Sequence, residues 1–216
     1  LAKEAKLLNA WFIHYSTDYV FDGLKSGAYI ETDTPNPQSV YGQTKYDGEE
    51  SIKESKVKHL IFRTAWVYSK RGNNFIKTMI QLAKKQDELK VVNDQIGAPT
   101  GAELIADVTA LCLYQIAQYK NSAHNLSGTY HLTPTGETSW HGFAQFIIAE
   151  ALGLGVKFRA SFENVQAIST SEYPLPAKRP SNSLLDTKKI CNTFNVYMPP
   201  WQTHVERLFK ELYSQR

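Results

Sequence analysis

Tyr41 and Lys45 have types and spacing that could move a proton. They lie four apart in Tyr41-Gly42-Gln43-Thr44-Lys45. On a helix that spacing sets a phenol beside an ammonium. A free tyrosine, with a pKa of about 10, is a poor acid–base catalyst at neutral pH, and bringing it to about 7 needs roughly 4 kcal/mol of differential stabilisation. A neighbouring cation favours the phenolate, and in a partly dry cleft it can supply much of that energy. Alone the spacing is weak, because a solvated helix face yields Tyr and Lys four apart by chance. A second group of polar residues is Ser16-Thr17-Asp18-Tyr19-Val20-Phe21-Asp22-Gly23. It follows the apolar run Trp11 to Tyr15, which reads as a buried strand. Open parallel sheets bind ligands beyond the carboxyl ends of their strands, so hydroxyls and a carboxylate here would face a ligand. The plainer alternative is a turn whose side chains only satisfy backbone groups.

The elements that must position these residues follow in order. A Gly-, Asp- and Pro-rich loop spans residues 22 to 37. Residues 39 to 55 read as a helix, with Ser39 as N-cap and Glu49, Glu50 and Lys53 on its wet face. A strand is expected from Val57 to Arg63, and a helix from Asn74 to Lys85 with its apolar stripe at Phe75, Ile76, Met79, Ile80 and Leu82. Leu89 to Val92 is a short strand, and Ala102 to Tyr119 a further helix. This alternation predicts an α/β fold with a parallel sheet covered by helices. Beyond it, the pattern predicts a strand at Gly128 to Leu132 and a helix from Ser139 to Leu152, ended by Gly153. It then predicts a second strand at Val156 to Phe162, a Pro-containing loop from 171 to 183 and a closing helix from Trp201 to Tyr213. The expected organisation is a catalytic portion at 1–125 and a smaller α/β lobe at 126–216, partly interleaved.

Composition excludes several classes. With 42% hydrophobic and 21% charged residues, the chain has the make-up of a globular protein. A net charge of +3, spread along the sequence, is too small to argue for nucleic acid. No apolar run reaches the roughly 18 residues of a membrane span. Cys112 and Cys191 form no C-x-x-C, which fits a reducing, cytoplasmic compartment better than a disulfide framework. The six histidines (His14, His59, His124, His131, His141, His204) make no H-E-x-x-H or close pair, so no catalytic metal is expected.

S-T-D-Y-V-F-D-G followed by Y-G-Q-T-K resembles the dTDP-4-dehydrorhamnose reductases, which are extended short-chain dehydrogenase/reductases. Further matches follow in order: Arg63-Thr64-Ala65-Trp66-Val67-Tyr68, Asn73-Asn74-Phe75, Asp94-Gln95-Ile96-Gly97-Ala98-Pro99-Thr100, and Arg179-Pro180-Ser181-Asn182-Ser183 with Asp186. The resemblance implies a Rossmann-like sheet and reduction of the 4-keto group of dTDP-4-dehydro-L-rhamnose by NADPH or NADH. It makes Tyr41 the general acid toward the developing C4 alkoxide. Thr17 would polarise the same carbonyl, and Lys45 would lower the Tyr41 pKa and hold the nicotinamide ribose. That division suits hydride addition to a ketone, where charge grows on oxygen and donors must already point there. Ser16 joins Tyr41 and Lys45 as a cofactor contact. Asp18, Tyr19 and Trp66 are implied at the sugar, and Gln95, Thr100 and Arg179 at the nucleotide and diphosphate, where an arginine suits bidentate recognition. The implied partner is a dTDP-sugar. A homodimer is compatible with the resemblance, and no nucleic-acid or membrane partner is.

The family's G-x-x-G-x-x-G turn is not found among the 12 glycines, and Leu1 to Leu8 read as the interior of a helix. The expectation is therefore that two or three βα units, on the order of 90 residues, are missing and that this chain alone does not bind NAD(P)H. Two other readings share Y-x-x-x-K or the family likeness. A 4,6-dehydratase or 4-epimerase is one, although the acidic pair a dehydratase places after the threonine is here Asp18-Tyr19. A regulatory binding subunit is the other, although it would not need Thr17, Tyr41 and Lys45.

Overall fold

The computed structural model describes residues 1–119, 125–174 and 179–213. His124 and part of the expected 171–183 loop lie outside them. The helices are α1 (Ala2–Leu7), α2 (Val40–Ser55), α3 (Phe75–Lys85), α4 (Ala102–Tyr119), α5 (Trp140–Gly153), α6 (Lys188–Phe194) and α7 (Trp201–Tyr213). The strands are β1 (Phe12–Thr17), β2 (His59–Thr64), β3 (Val67–Tyr68), β4 (Leu89–Val92), β5 (Ile96–Gly97), β6 (Thr100–Gly101), β7 (Gly128–His131), β8 (Thr138–Ser139) and β9 (Val165–Ile168). The fold is α/β and Rossmann-like, as its parallel strands and alternating helices foreshadow.

The chain forms two compact units, each drawing on three segments: 1–65, 105–133 and 177–198 in the first, and 66–104, 134–176 and 199–216 in the second. The sequence reading places an approximate boundary near residue 125 between two partly interleaved portions. In the first unit β1, β2 and β7 form a parallel sheet with β2 in the middle. Ser16 stands opposite Arg63, Arg63 opposite His131, and Thr17 opposite Thr64. Ile52 of α2 packs with Val57 and Ile61 beneath it. Val20, Phe21, Tyr29 and Leu185 make a second apolar cluster beside the loop that leaves β1.

In the second unit β4 pairs parallel with β9 and β3 with β6, while β5 runs antiparallel to β8. Its core gathers Ile76 and Ile80 of α3, Phe143, Ile147 and Ile148 of α5, and Val205, Leu208 and Phe209 of α7. Local chemistry fixes the helix starts. Ser39, Asn74 and Ser139 each cap a helix by accepting a backbone N–H three residues on, from Gly42, Lys77 and Gly142.

Two expectations fail. Val156 to Phe162 is not a strand; Val156 and Phe158 pack against the core of the second unit, and the strand that pairs with β4 is β9. Glu49 is not on a wet face but is fully buried against Arg63. Both cysteines are free. Among the described residues, no helix is long and apolar enough to cross a membrane.

Candidate active site

β1 delivers Thr17 to the carboxyl edge of the sheet and stops there. Thr17 caps a short 3-10 turn at Asp18–Val20, its Oγ1 accepting from the Tyr19 N–H at 3.2 Å. The same hydroxyl donates to Asp18 Oδ1 at 3.0 Å. Thr17 and Asp18 are both buried. Burial pushes the Asp18 carboxyl up to about 6, outweighing the hydrogen bonds it accepts. Ser16 is also buried, and strand alternation turns its hydroxyl away from that of Thr17.

The first turns of α2 bring the other groups to this strand end. Lys45 Nζ donates to the Tyr15 carbonyl at 2.5 Å, two residues before Thr17. An ammonium has three N–H donors, so two remain for other partners. Tyr41, near the start of α2, is 55% exposed and meets the Tyr19 ring edge-on at 5.7 Å. Gly42 lets the helix approach so closely, since a Cβ there would lie 2.2 Å from the Tyr19 carbonyl oxygen. The Tyr19 hydroxyl is pushed up, first by burial and then by the Asp18 charge, while the Arg179 guanidinium pulls the other way. Arg179 is thus within electrostatic reach of Tyr19. Thr17, Asp18, Tyr19, Tyr41, Lys45 and Arg179 belong to the first unit, and contacts among them link strand end, turn and helix.

Trp66, Gln95 and Thr100 belong to the second unit. Trp66 has φ of +50°, a left-handed conformation that costs a non-glycine residue. Its ring stacks on Trp140 with centroids 3.6 Å apart, and a Cβ on Gly97 would come within 2.5 Å of it. Gln95 is buried and donates to Thr170 Oγ1 at 3.0 Å. Thr100 is buried, and its hydroxyl donates to the Ala98 carbonyl.

A family model described as the RmlD substrate binding domain matches residues 1–214. A dTDP-4-dehydrorhamnose reductase from Shigella flexneri is 47% identical over 214 residues, covering 99% of this chain and 70% of that protein. The chain belongs to the dTDP-4-dehydrorhamnose reductase family. Two solved reductases of this family superpose well. One from Clostridium acetobutylicum has a TM-score of 0.83 at 39% identity, covering 98% of this chain and 69% of that one. One from Bacillus anthracis, in complex with NADP, has a TM-score of 0.80 at 37% identity, covering 97% and 69%. The family is one of oxidoreductases. In this chain Tyr41 and Lys45, four residues apart, lie on the first turns of α2, beside the strand end that bears Thr17.

Sequence reasoning missed the part played by three residues next to the candidate residues: Gly42 and Glu49 in the first unit, and Trp140 in the second. Gly42 lies inside the motif, but only the approach to Tyr19 shows why it is glycine. Trp140 backs Trp66 from a helix 74 residues further on. Glu49 carried a usable signal, since it continues the four-residue spacing of Tyr41 and Lys45.

Proposed function

We propose that this chain carries the proton-delivery site for reduction of the 4-keto group of dTDP-4-dehydro-L-rhamnose to dTDP-L-rhamnose. The observation that carries the reading is the seating of α2. Lys45 is pinned to the Tyr15 carbonyl two residues before Thr17, while Tyr41 stays exposed against Tyr19. A proton donor, a hydroxyl and a fixed cation therefore converge on one strand end.

The residues suit a nicotinamide dinucleotide. Two uncommitted N–H groups of Lys45 match the hydroxyls of a ribose, with Tyr41 and Ser16 at the same strand end. The cofactor, NADPH or NADH, supplies the hydride when bound. Tyr41 Oη gives its proton to the C4 oxygen of the sugar and is left as phenolate, which the Lys45 charge stabilises until solvent returns a proton. Thr17 polarises the same carbonyl. At rest its hydroxyl points to Asp18, so it must turn that proton toward the substrate oxygen. Within the first unit, Asp18 and Tyr19 contact the sugar and Arg179 takes the diphosphate. The two free cysteines support placing the reaction in a reducing compartment such as the cytoplasm.

The test is Tyr41→Phe in reductase-active protein containing this chain. Turnover should fall by about 100-fold or more, the scale of a positioned acid–base group, with dTDP-sugar binding kept. Turnover at the parent's level would remove Tyr41 from the reaction.

A further inference from the structure

Tyr41, Lys45 and Glu49 occur at positions i, i+4 and i+8 of α2. At 100° per residue they fall within a stripe about 80° wide. Glu49, the third, is fully buried, and so is its partner Arg63 on β2. Arg63 Nε donates to both Glu49 carboxylate oxygens, at 2.9 and 3.2 Å, and Nη2 donates to Oε2 at 2.6 Å. Burial alone would raise the Glu49 carboxyl, but the hydrogen bonds and charge of Arg63 outweigh it and hold the group below the ordinary range. The pair is therefore ionised.

Its location is unusual for a stabilising contact. Arg63 sits in the central strand, in register with Ser16, one residue before Thr17. Its guanidinium also lies 5.0 Å over the Phe21 ring, in the segment that leaves Thr17. One side chain thus touches the carrier of Tyr41 and Lys45 and the segment downstream of Thr17.

The apolar seating of α2 is modest: Ile52 is its one fully buried apolar side chain, and Tyr46 packs partly buried against the Val20–Phe21–Tyr29–Leu185 cluster. Alongside the Gly42 approach to Tyr19, two polar tethers act on the Tyr41–Lys45–Glu49 face and restrain its rotation: Lys45 to Tyr15 on β1 and Glu49 to Arg63 on β2. Side-chain tips lie about 6 Å from a helix axis, so a rotation of roughly 10° moves the Tyr41 hydroxyl by about 1 Å. A misplacement of that size can cost on the order of 100-fold in rate.

We propose that the buried Glu49–Arg63 ion pair is a positioning device that fixes the rotation of α2, and with it the Tyr41–Lys45 face, against the strand end bearing Thr17. This rests on the reductase reading above. Replacing a buried ion pair with apolar residues of similar volume often leaves a protein folded, which separates positioning from stability.

The experiment compares parent, Glu49→Met/Arg63→Leu and Arg63→Lys in reductase-active protein containing this chain. Thermal melting, kcat, KM and the affinity for dTDP are read for each. We expect the apolar double variant to melt within a few degrees of the parent, with kcat down about tenfold or more and with KM and dTDP affinity within about threefold. Arg63→Lys, which keeps the charge but loses the two-point contact, should also lose kcat at unchanged KM. Should the double variant fail to fold, Arg63→Lys decides alone. A folded variant with kcat within about threefold of the parent overturns the proposal, as does a loss confined to KM. If the parent itself does not consume NAD(P)H with dTDP-4-dehydro-L-rhamnose, the reductase reading fails instead.

Discussion

Alanine at Gly42 and at Gly48 should have opposite effects, although both lie in the same helix. In a helix interior, replacing glycine with alanine normally stabilises by about 1 kcal/mol, because the flexible residue loses more backbone entropy on folding. At Gly48 a Cβ would meet only His14 Nε2, at 3.8 Å, an ordinary contact. Gly48→Ala should therefore realise the gain and raise Tm by about 2–4 °C for a chain of this size. At Gly42 a Cβ would lie 2.2 Å from the Tyr19 carbonyl oxygen, 3.0 Å from its carbon and 3.1 Å from Pro37 Cβ. Relief requires the start of α2 and the Tyr19 turn to part by about 1 Å, at an overpacking cost of roughly 1–3 kcal/mol or more. That cost meets or exceeds the helical gain, so Tm should fall or at best stay level. The same displacement separates Tyr41 from Thr17, and turnover should drop on the order of 100-fold. Thermal melting of both variants, with steady-state kinetics in reductase-active protein, checks this. A Gly42→Ala protein as stable as Gly48→Ala and as active as the parent would refute the claim that this close approach positions Tyr41.

Other outcomes follow from the same geometry. Ser39→Ala removes the hydroxyl that caps α2 by accepting from the Gly42 N–H, and should cost about 1 kcal/mol in denaturant melting. Asp18 and His131 should oppose one another in pH-dependent stability. Burial raises the Asp18 carboxyl from 3.8 to about 6, so the folded state binds the extra proton, and its contribution is lost as pH rises between those values. Burial, then the Arg63 charge, lowers the His131 imidazole from 6.5 to about 3, so the unfolded state binds the proton there and stability is lost as pH falls through that window. Asp18→Asn removes the first effect, so its stability relative to the parent should grow by up to about 3 kcal/mol from pH 4 to 6; a constant difference would contradict the buried carboxyl. Trp140→Leu removes the ring stacked on Trp66 and should cost about 1 kcal/mol or more, lowering Tm by about 2–4 °C; an unchanged Tm would show that the stack adds nothing to the second unit.

Most of the helices and the main strands were legible in the sequence, and so were the candidate residues for an acid–base group. Caps at Ser39, Asn74 and Ser139, and the apolar spacing of α3 and α7, are local signals, and local hydrogen bonds and side-chain periodicity suffice to read them. Tyr41 beside Lys45 is likewise a consequence of helical pitch, and Thr17 at a strand end a consequence of where the apolar run stops. What the tertiary structure decided is which of these residues meet distant partners. Val156 and Phe158 alternate like a strand, but their partner is a helical core, while β9 finds β4 more than 70 residues earlier. Glu49 looks solvated because its neighbours Glu50 and Lys53 are polar, and only the arrival of Arg63 from β2 makes its burial favourable. A buried charge is stable only with its counter-charge in place, and that counter-charge lies on another element, beyond the reach of any helical period. The sequence thus points to the Tyr41–Lys45 face, and the tertiary structure supplies the buried pair behind it on the same helix.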